Sequence, residues 1–149
     1  MTSDTIKLRP ATVDDADLLL EWRNDPETRN ASHNTAEVQR EEHVSWLKKT
    51  LNNTSRQLYI AEENGIPVGT VRADLVDGVH ELSWTVAPNA RGRGVATRMV
   101  ALLARQISQP IRAEVKSGST ASARIAERAG MLFDREVDGI LHYRRAAWK

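Results

Sequence analysis

The chain has 149 residues, no cysteine and a formal net charge of +1, with 40% hydrophobic and 28% charged residues. This composition is typical of one globular domain, residues 1–149, and excludes a disordered or disulfide-stabilised chain. The near-neutral charge and the lack of a long apolar run argue against nucleic-acid and membrane partners. No basic leader followed by an apolar stretch is present, so we expect a cytoplasmic protein.

The first third is predicted to hold a strand over residues 5–9, a helix to about residue 24 and a second helix over 36–51. Thr12 and Asp15 have the spacing of a capping box for the first helix, and Pro26 is expected to end it. The second helix has an apolar face formed by Val44, Leu47 and Leu51.

The remaining two thirds alternate between strands and helices. Strands over 57–62, 66–76 and 80–86 are joined through the turn sequences Asn64-Gly65 and Asp77-Gly78. An amphipathic helix over 95–108 precedes Pro110 and a strand over 111–116. A short helix, with Ser122, Ile125, Ala126 and Ala129 on one face, ends at Gly130, and two strands flank Asp138-Gly139. The order predicts a mixed α/β sheet with helices on both faces.

The most informative segment is a glycine-spaced basic loop between a strand and a helix, residues 84–96. Gly92 and Gly94 allow a tight turn and a close approach to a ligand. The amides that open the following helix favour an anion, and Arg91 and Arg93 add charge beside them. The loop therefore predicts a phosphate site. It lacks the Walker spacing, and a dinucleotide fingerprint would need glycine at Thr97.

The pattern Arg91-x-x-Gly94-x-Ala96 resembles the acetyl-CoA signature [Q/R]-x-x-G-x-[G/A] of the GNAT superfamily of N-acetyltransferases. The element order resembles the GNAT fold over essentially the whole chain, and residues 113–131 resemble the strand and helix that end in the family's Gly-Phe. The resemblance implies a mostly antiparallel sheet of about seven strands with helices on both faces. It also implies acetyl-CoA as co-substrate and a primary amine as acceptor.

The resemblance places the cofactor along the loop and the strand before it. The family breaks that strand with a bulge, so its edge pairs with the pantetheine and the Val86 N–H is the implied oxyanion donor. Ala126 stands where many members carry a tyrosine acid, so Ser119, Ser122 or water supplies the proton, or the thiolate leaves unassisted. The implied cofactor-binding residues are Val86, Arg91, Gly92, Arg93, Gly94, Val95, Ala96, Ser119 and Ser122.

Two glutamates are candidates for the general base. Strand alternation separates Glu81 from the apolar side chains of Leu82 and Trp84, and a carboxylate on a core strand has a raised pKa suited to accepting a proton. Glu114 lies on the next strand, where ribosomal-protein acetyltransferases carry a catalytic glutamate. We favour Glu81, and the alternative for either residue is a surface or salt-bridged carboxylate.

The acceptor site is expected in the amino-terminal third. Its Trp-Arg-Asn and His-x-x-Trp segments resemble acetyltransferases of nucleotide-linked 4-amino sugars and, less closely, ribosomal-protein N-terminal acetyltransferases. Arginines suit phosphates and tryptophans suit stacking on a base, although a tryptophan on an amphipathic helix is also an ordinary core residue. A nucleotide sugar would favour a basic, aromatic site and a peptide an acidic, open one. The candidate substrate-binding residues are Trp22, Arg23, Asn24, Arg29, His43 and Trp46.

Other classes of function remain as alternatives. The missing tyrosine leaves open a non-catalytic acyl-CoA-binding module, and an RNA-binding domain using Arg-Gly-Arg-Gly lacks interleaved aromatic residues. His33 and His142 have no partners at ligand spacing, so no metal site is predicted. A homodimer is left open.

Overall fold

A seven-stranded sheet flanked by helices makes up the computed structural model, which describes residues 5–32 and 35–148. Short 3₁₀ turns cover Val13–Asp15 and Pro88–Ala90. The strands are β1 (Ile6–Pro10), β2 (Arg56–Glu63), β3 (Ile66–Val76), β4 (Val79–Val86), β5 (Ile111–Lys116), β6 (Leu132–Val137) and β7 (Ile140–Arg145). The helices are α1 (Ala16–Asn24), α2 (Pro26–Ala31), α3 (Arg40–Leu51), α4 (Val95–Arg105) and α5 (Thr120–Arg128).

The strand order is β1-β2-β3-β4-β5-β7-β6, and β4 with β5 is the parallel pair in an otherwise antiparallel sheet. This confirms the expected mixed, mostly antiparallel sheet. The hairpins turn where the sequence predicted, because Asn64 and Asp77 take positive φ ahead of glycines that do the same.

The helices divide between the two faces of the sheet. On β3, a Cβ added at Gly69 would lie 2.8 Å from the Met99 sulfur of α4, whereas the Arg72 guanidinium lies over Trp46 of α3. Since side chains an odd number of positions apart on a strand point to opposite faces, α4 packs on one face and α3 on the other. α5 packs beside α4, and α1 beside α3. Leu47 and Met99, both fully buried, anchor the two layers.

A gap opens between β4 and β5, and it defines where the site lies. The two strands pair only at His80 and Glu81, opposite Ile111 and Arg112, although they continue to residues 86 and 116. The prediction of a bulge at Val86 is wrong, because the pairing of β3 with β4 continues without a register shift as far as Val86, which lies opposite Gly69. The edge is exposed because β5 diverges from β4.

The amino-terminal helices differ from the prediction at their boundaries. The Thr12–Asp15 capping box is present, but it surrounds a 3₁₀ turn that leads into α1. Pro26 follows the end of α1 as expected, yet it also begins α2, with Asp25 as the N-cap. Proline suits the first turn of a helix because its missing N–H is not needed there, and this second role was not predicted.

α3 begins at Arg40 rather than at residue 36, because the segment before it, residues 35–39, is non-helical and its last residue, Gln39, is extended. The Asn24 amide holds that segment, donating to the Val38 carbonyl at 2.8 Å and accepting from the Val38 N–H at 2.7 Å. The buried stripe of α3 is His43, Leu47 and Thr50, one position away from the predicted stripe except at Leu47.

The last two helices, α4 and α5, differ in how closely their ends match the prediction. α4 ends at Arg105, three residues earlier than predicted. α5 is followed by Gly130 at φ 95°, and the Met131 N–H donates to the Ala126 carbonyl at 3.1 Å, which confirms the predicted stop at Gly130. Among residues 5–32 and 35–148, no helix is both long and apolar enough to cross a membrane.

Candidate functional site

A groove of about 1120 Å³ runs along the gap between β4 and β5. Gly94, Ala96 and Ile125 line it on the face covered by α4 and α5, whereas Trp46 of α3 and Arg72 of β3 line it on the opposite face. Because residues from both layers contribute, the groove connects the two faces of the sheet through the gap. A long ligand lying in it would have one end at the glycine loop and the other between the sheet and the amino-terminal helices.

The glycine loop at one end has the backbone that the sequence predicted. Gly92 and Gly94 have φ of 79° and 72°, the left-handed region that favours glycine. α4 starts directly after Gly94, and its first intrahelical bond runs from the Arg98 N–H to the Gly94 carbonyl. The amides of residues 95–97 therefore have no acceptor within the helix, and they stand at its positive end.

The arginines of the loop are already paired with carboxylates. Arg91 donates to Asp25 and lies 2.9 Å from Glu27, while Arg93 lies 2.9 Å from Glu63. The charge that Arg91 and Arg93 were expected to add beside the amides is therefore balanced by these carboxylates. The backbone amides, rather than these guanidinium groups, are the loop's main hydrogen-bond donors for binding an anion.

The free edge of β4 directs amides into the gap. The Ala87 N–H donates to a β3 carbonyl at 2.9 Å, and the His80 N–H donates at 2.9 Å to Pro110, just before β5. Peptide groups along a strand point alternately to its two sides, so the N–H groups of Trp84 and Val86 point toward β5, like that of His80. Both residues line the groove. The Val86 N–H therefore points into the gap, and its role as an oxyanion donor stays a prediction.

Two carboxyl groups meet on the α3 face of β4 and β5. Glu114 is exposed and lines the groove, whereas Glu81 is half-buried beside it. Burial raises the pKa of Glu81 above its ordinary value, the charge of Glu114 raises it further, and Arg112, at 3.7 Å, opposes the rise. The two candidate bases therefore form one interacting pair, with Glu114 nearer to the groove.

The other end of the groove has an aromatic wall. Trp46 and His43 stack with 5.5 Å between ring centroids, and the Arg72 guanidinium lies 5.5 Å from the centroid of Trp46. His43 is 4% exposed, and burial lowers its pKa, so its ring is neutral near pH 7. Arg72 also contacts Asp74 at 3.0 Å.

The other predicted acceptor residues divide into two groups. Trp22 and Arg23 both border the groove. Trp22 is 4% exposed and belongs to the core. The pKa of Arg23 is lowered mainly by burial and further by the nearby charge of Arg29. Asn24 and Arg29 are not part of the lining. The Asn24 amide is used on Val38, and Arg29 Nε donates to a backbone carbonyl at 3.2 Å.

In the part of the chain that the structure describes, three basic residues that line the groove were not predicted: Arg72, Lys116 and Arg124. Arg72 had a detectable signal, since Arg72 and Asp74 alternate with the buried Val71 and Ala73 along β3, which marks a polar face within a core strand.

The predicted proton donors remain candidates by position. Ser119 and Ser122 line the groove, whereas Ala126 is fully buried and does not. Within the described residues, no group of three or more His, Asp or Glu side chains could hold a metal ion. His33 lies outside the described residues.

Comparisons with known proteins agree with this architecture. A family model described as an acetyltransferase (GNAT) domain matches residues 5–132. None of the curated proteins matches the chain.

Solved structures share the fold at low sequence identity. A domain from Methanocaldococcus jannaschii has a TM-score of 0.84 at 19% identity, covering 95% of this chain and 98% of its own. The Vibrio cholerae spermidine N-acetyltransferase, solved with CoA and spermine, has a TM-score of 0.83 at 12% identity over 94% of each chain. A Brucella melitensis ribosomal-protein-alanine N-acetyltransferase has 0.78 at 23% identity over 94% and 99%. These values show a shared fold.

Proposed function

The chain belongs to the GNAT acetyltransferase family, and we propose that it acetylates the amino group of a small anionic molecule, best represented by a nucleotide-linked amino sugar. Family membership confirms the expected acetyl-CoA-dependent N-acetyltransferase activity, and it favours an enzyme over the non-catalytic alternative. The choice of acceptor and the roles of individual residues make up the proposal.

The cofactor occupies the groove from the glycine loop to the β4–β5 gap. Amides of residues 92–97 bind the pyrophosphate, which the positive end of α4 also attracts. The pantetheine lies along the free edge of β4 and pairs with its peptide groups as a further strand. This places the thioester oxygen at the Val86 N–H, where developing negative charge is stabilised. The loop and strand geometry supports this placement.

The carboxyl pair takes the proton of the acceptor amine. As the nitrogen bonds to the thioester carbon, its proton passes to Glu114, directly or through water, and is shared with Glu81. The carbon–sulfur bond then breaks, and the departing thiolate is protonated by Ser119, Ser122 or water. Support comes from the position of Glu114 in the groove wall and the raised pKa of Glu81 beside it.

The single observation behind the acceptor class is the charge and aromatic character of the groove. Among the described residues, and apart from the ion pair of Arg91 with Glu27, it is lined by four basic side chains, Arg23, Arg72, Lys116 and Arg124, and two acidic ones, Glu42 and Glu114. Trp46 supplies an aromatic surface beside Arg72. An anionic acceptor would be attracted by this excess of positive charge, and a planar base would find a surface for stacking.

An acceptor panel tests this proposal through release of free CoA thiol. The panel contains a UDP-linked amino sugar, the same amino sugar without its nucleotide, spermine, and a peptide with a free N-terminus. We expect the highest kcat/KM with the nucleotide sugar and a marked loss when the nucleotide is removed. A higher value with the peptide would instead support N-terminal acetylation. Tight CoA binding without turnover of any amine would support a binding module.

A further inference from the structure

One guanidinium joins the glycine loop to the amino-terminal turn of α2. Arg91, the first residue of the loop pattern, donates through Nη2 to Asp25 and, at 3.1 Å, to the Thr28 hydroxyl. Its Nε lies 2.9 Å from the Glu27 carboxylate. All of these partners lie within four consecutive residues, so the contact fastens the loop to a single turn of helix.

Asp25 has two roles in that turn. Its Oδ2 accepts from the Thr28 N–H at 3.2 Å, which caps α2, and the same carboxylate pairs with Arg91. The hydrogen bond from Arg91 holds the pKa of Asp25 below its usual range. The carboxylate is therefore ionised near neutral pH, and both interactions persist there.

The contact of Arg91 with α2 also joins two parts of the groove lining, one formed by α2 and one formed by the glycine loop. Glu27 and Thr28 of α2 and Ser32 just after it contribute to the lining, and so do Arg91 and Gly92 of the loop. Since Arg91 turns toward α2, the loop presents its amides, rather than its guanidinium, to a ligand. A shift of α2 would move Arg91, and with it the start of the loop.

We propose that Asp25 is a positioning residue for acetyl-CoA: through Arg91 it fixes the glycine loop against α2, so cofactor binding and the order of the α2 wall depend on each other. The inference rests on the proposed seat of acetyl-CoA in this loop and is independent of the acceptor's identity. Linkage makes the effect reciprocal, because a cofactor that prefers the fixed loop must also stabilise the wall attached to it.

Asp25→Asn separates this role from helix capping. Asparagine caps a helix as well as aspartate does, but it removes the charge that Arg91 binds. We expect the KM for acetyl-CoA to rise about fivefold, with kcat at saturation unchanged within about twofold. In the wild type, CoA should slow amide hydrogen exchange over residues 27–32, and Asp25→Asn should remove most of that protection. Asp25→Ala should add a loss of α2 stability.

A matched control is Asp17→Asn, which removes the exposed ion pair of Asp17 with Arg40 (3.1 Å) away from the loop. It should leave the KM and the exchange pattern unchanged. An unchanged KM with full protection in Asp25→Asn overturns the proposal. So does a lowered KM, because a released Arg91 would then be serving the pyrophosphate directly. Failure of the wild type to bind CoA in calorimetry would instead refute the proposed cofactor seat.

Discussion

Gly94→Val tests the assignment of the glycine loop. The Gly94 φ of 72° is a left-handed conformation that costs an L-residue about 1–2 kcal/mol, and a β-branched one more. Beyond its two chain neighbours, a Cβ at this position would meet no atom of the described residues within 4 Å, so the fold itself has room for the side chain. The added atoms would instead occupy space in front of the amides that open α4. We therefore expect a modest loss of stability and a large loss of CoA affinity.

Gly78→Val is the matched control. Gly78 has φ of 80° with nothing within 4 Å of an added Cβ, and it lies in the β3–β4 turn, outside the groove lining. Both variants should lose similar unfolding free energy, about 1–2 kcal/mol, which corresponds to roughly 2–8 °C in Tm for a chain of this size.

Calorimetric titration with CoA separates the two variants. Gly78→Val should bind as the wild type does. Gly94→Val should lose at least about tenfold in affinity, or 1.4 kcal/mol, since displacing even one charge-assisted hydrogen bond costs about 1.5–3 kcal/mol. If the Gly94 variant retained wild-type affinity, or the Gly78 variant lost affinity equally, the amides near residue 94 would not be the pyrophosphate site.

The remaining predictions concern the carboxyl pair and the missing acid. Glu81→Gln and Glu114→Gln should each lower kcat with little change in the KM for acetyl-CoA. Because the two carboxyl groups share one proton, the double variant should be no slower than the slower single variant. Wild-type turnover in both single variants would rule the pair out. Because the pKa of Glu81 is raised in the folded state, the stability contributed by its protonated form is present below the ordinary value of 4.5 and is lost as the pH rises through the raised value. Glu81→Gln should thus be more stable than the wild type to urea near neutral pH, with the difference closing below 4.5; an equal difference at both pH values would contradict the shift. Ala126→Tyr should lower the Tm without raising kcat, since residue 126 is fully buried and has no room for a ring; a faster enzyme would show that the tyrosine reaches the thiolate.

The elements that the sequence predicted well depend on local backbone chemistry. Asn64-Gly65, Asp77-Gly78 and Gly130 lie at turns or helix ends that require positive φ, a preference that belongs to the residues themselves. The glycine loop was predictable for the same reason, because its backbone shape follows from Gly92 and Gly94. Spacing and element order together were sufficient to indicate the family.

The pairing partners of the charged side chains depended on the tertiary structure. Arg91 and Asp25 are 66 positions apart, and no local pattern indicates that the loop's first arginine would be neutralised by a helix cap. The helix α2 was not predicted, because a proline such as Pro26 is common both just after the end of one helix and in the first turn of the next.

The sequence alone determined which residue types occupy the loop and the strands, since periodicity and turn preferences act over a few positions. Only the tertiary structure decided that β4 and β5 separate after two paired positions, that Glu114 lines the groove with Glu81 beside it, and that Trp22 lies in the core while Trp46 faces the groove. These outcomes follow from how distant strands and helices pack, and the balance of burial and charge at each side chain exists only after they have packed.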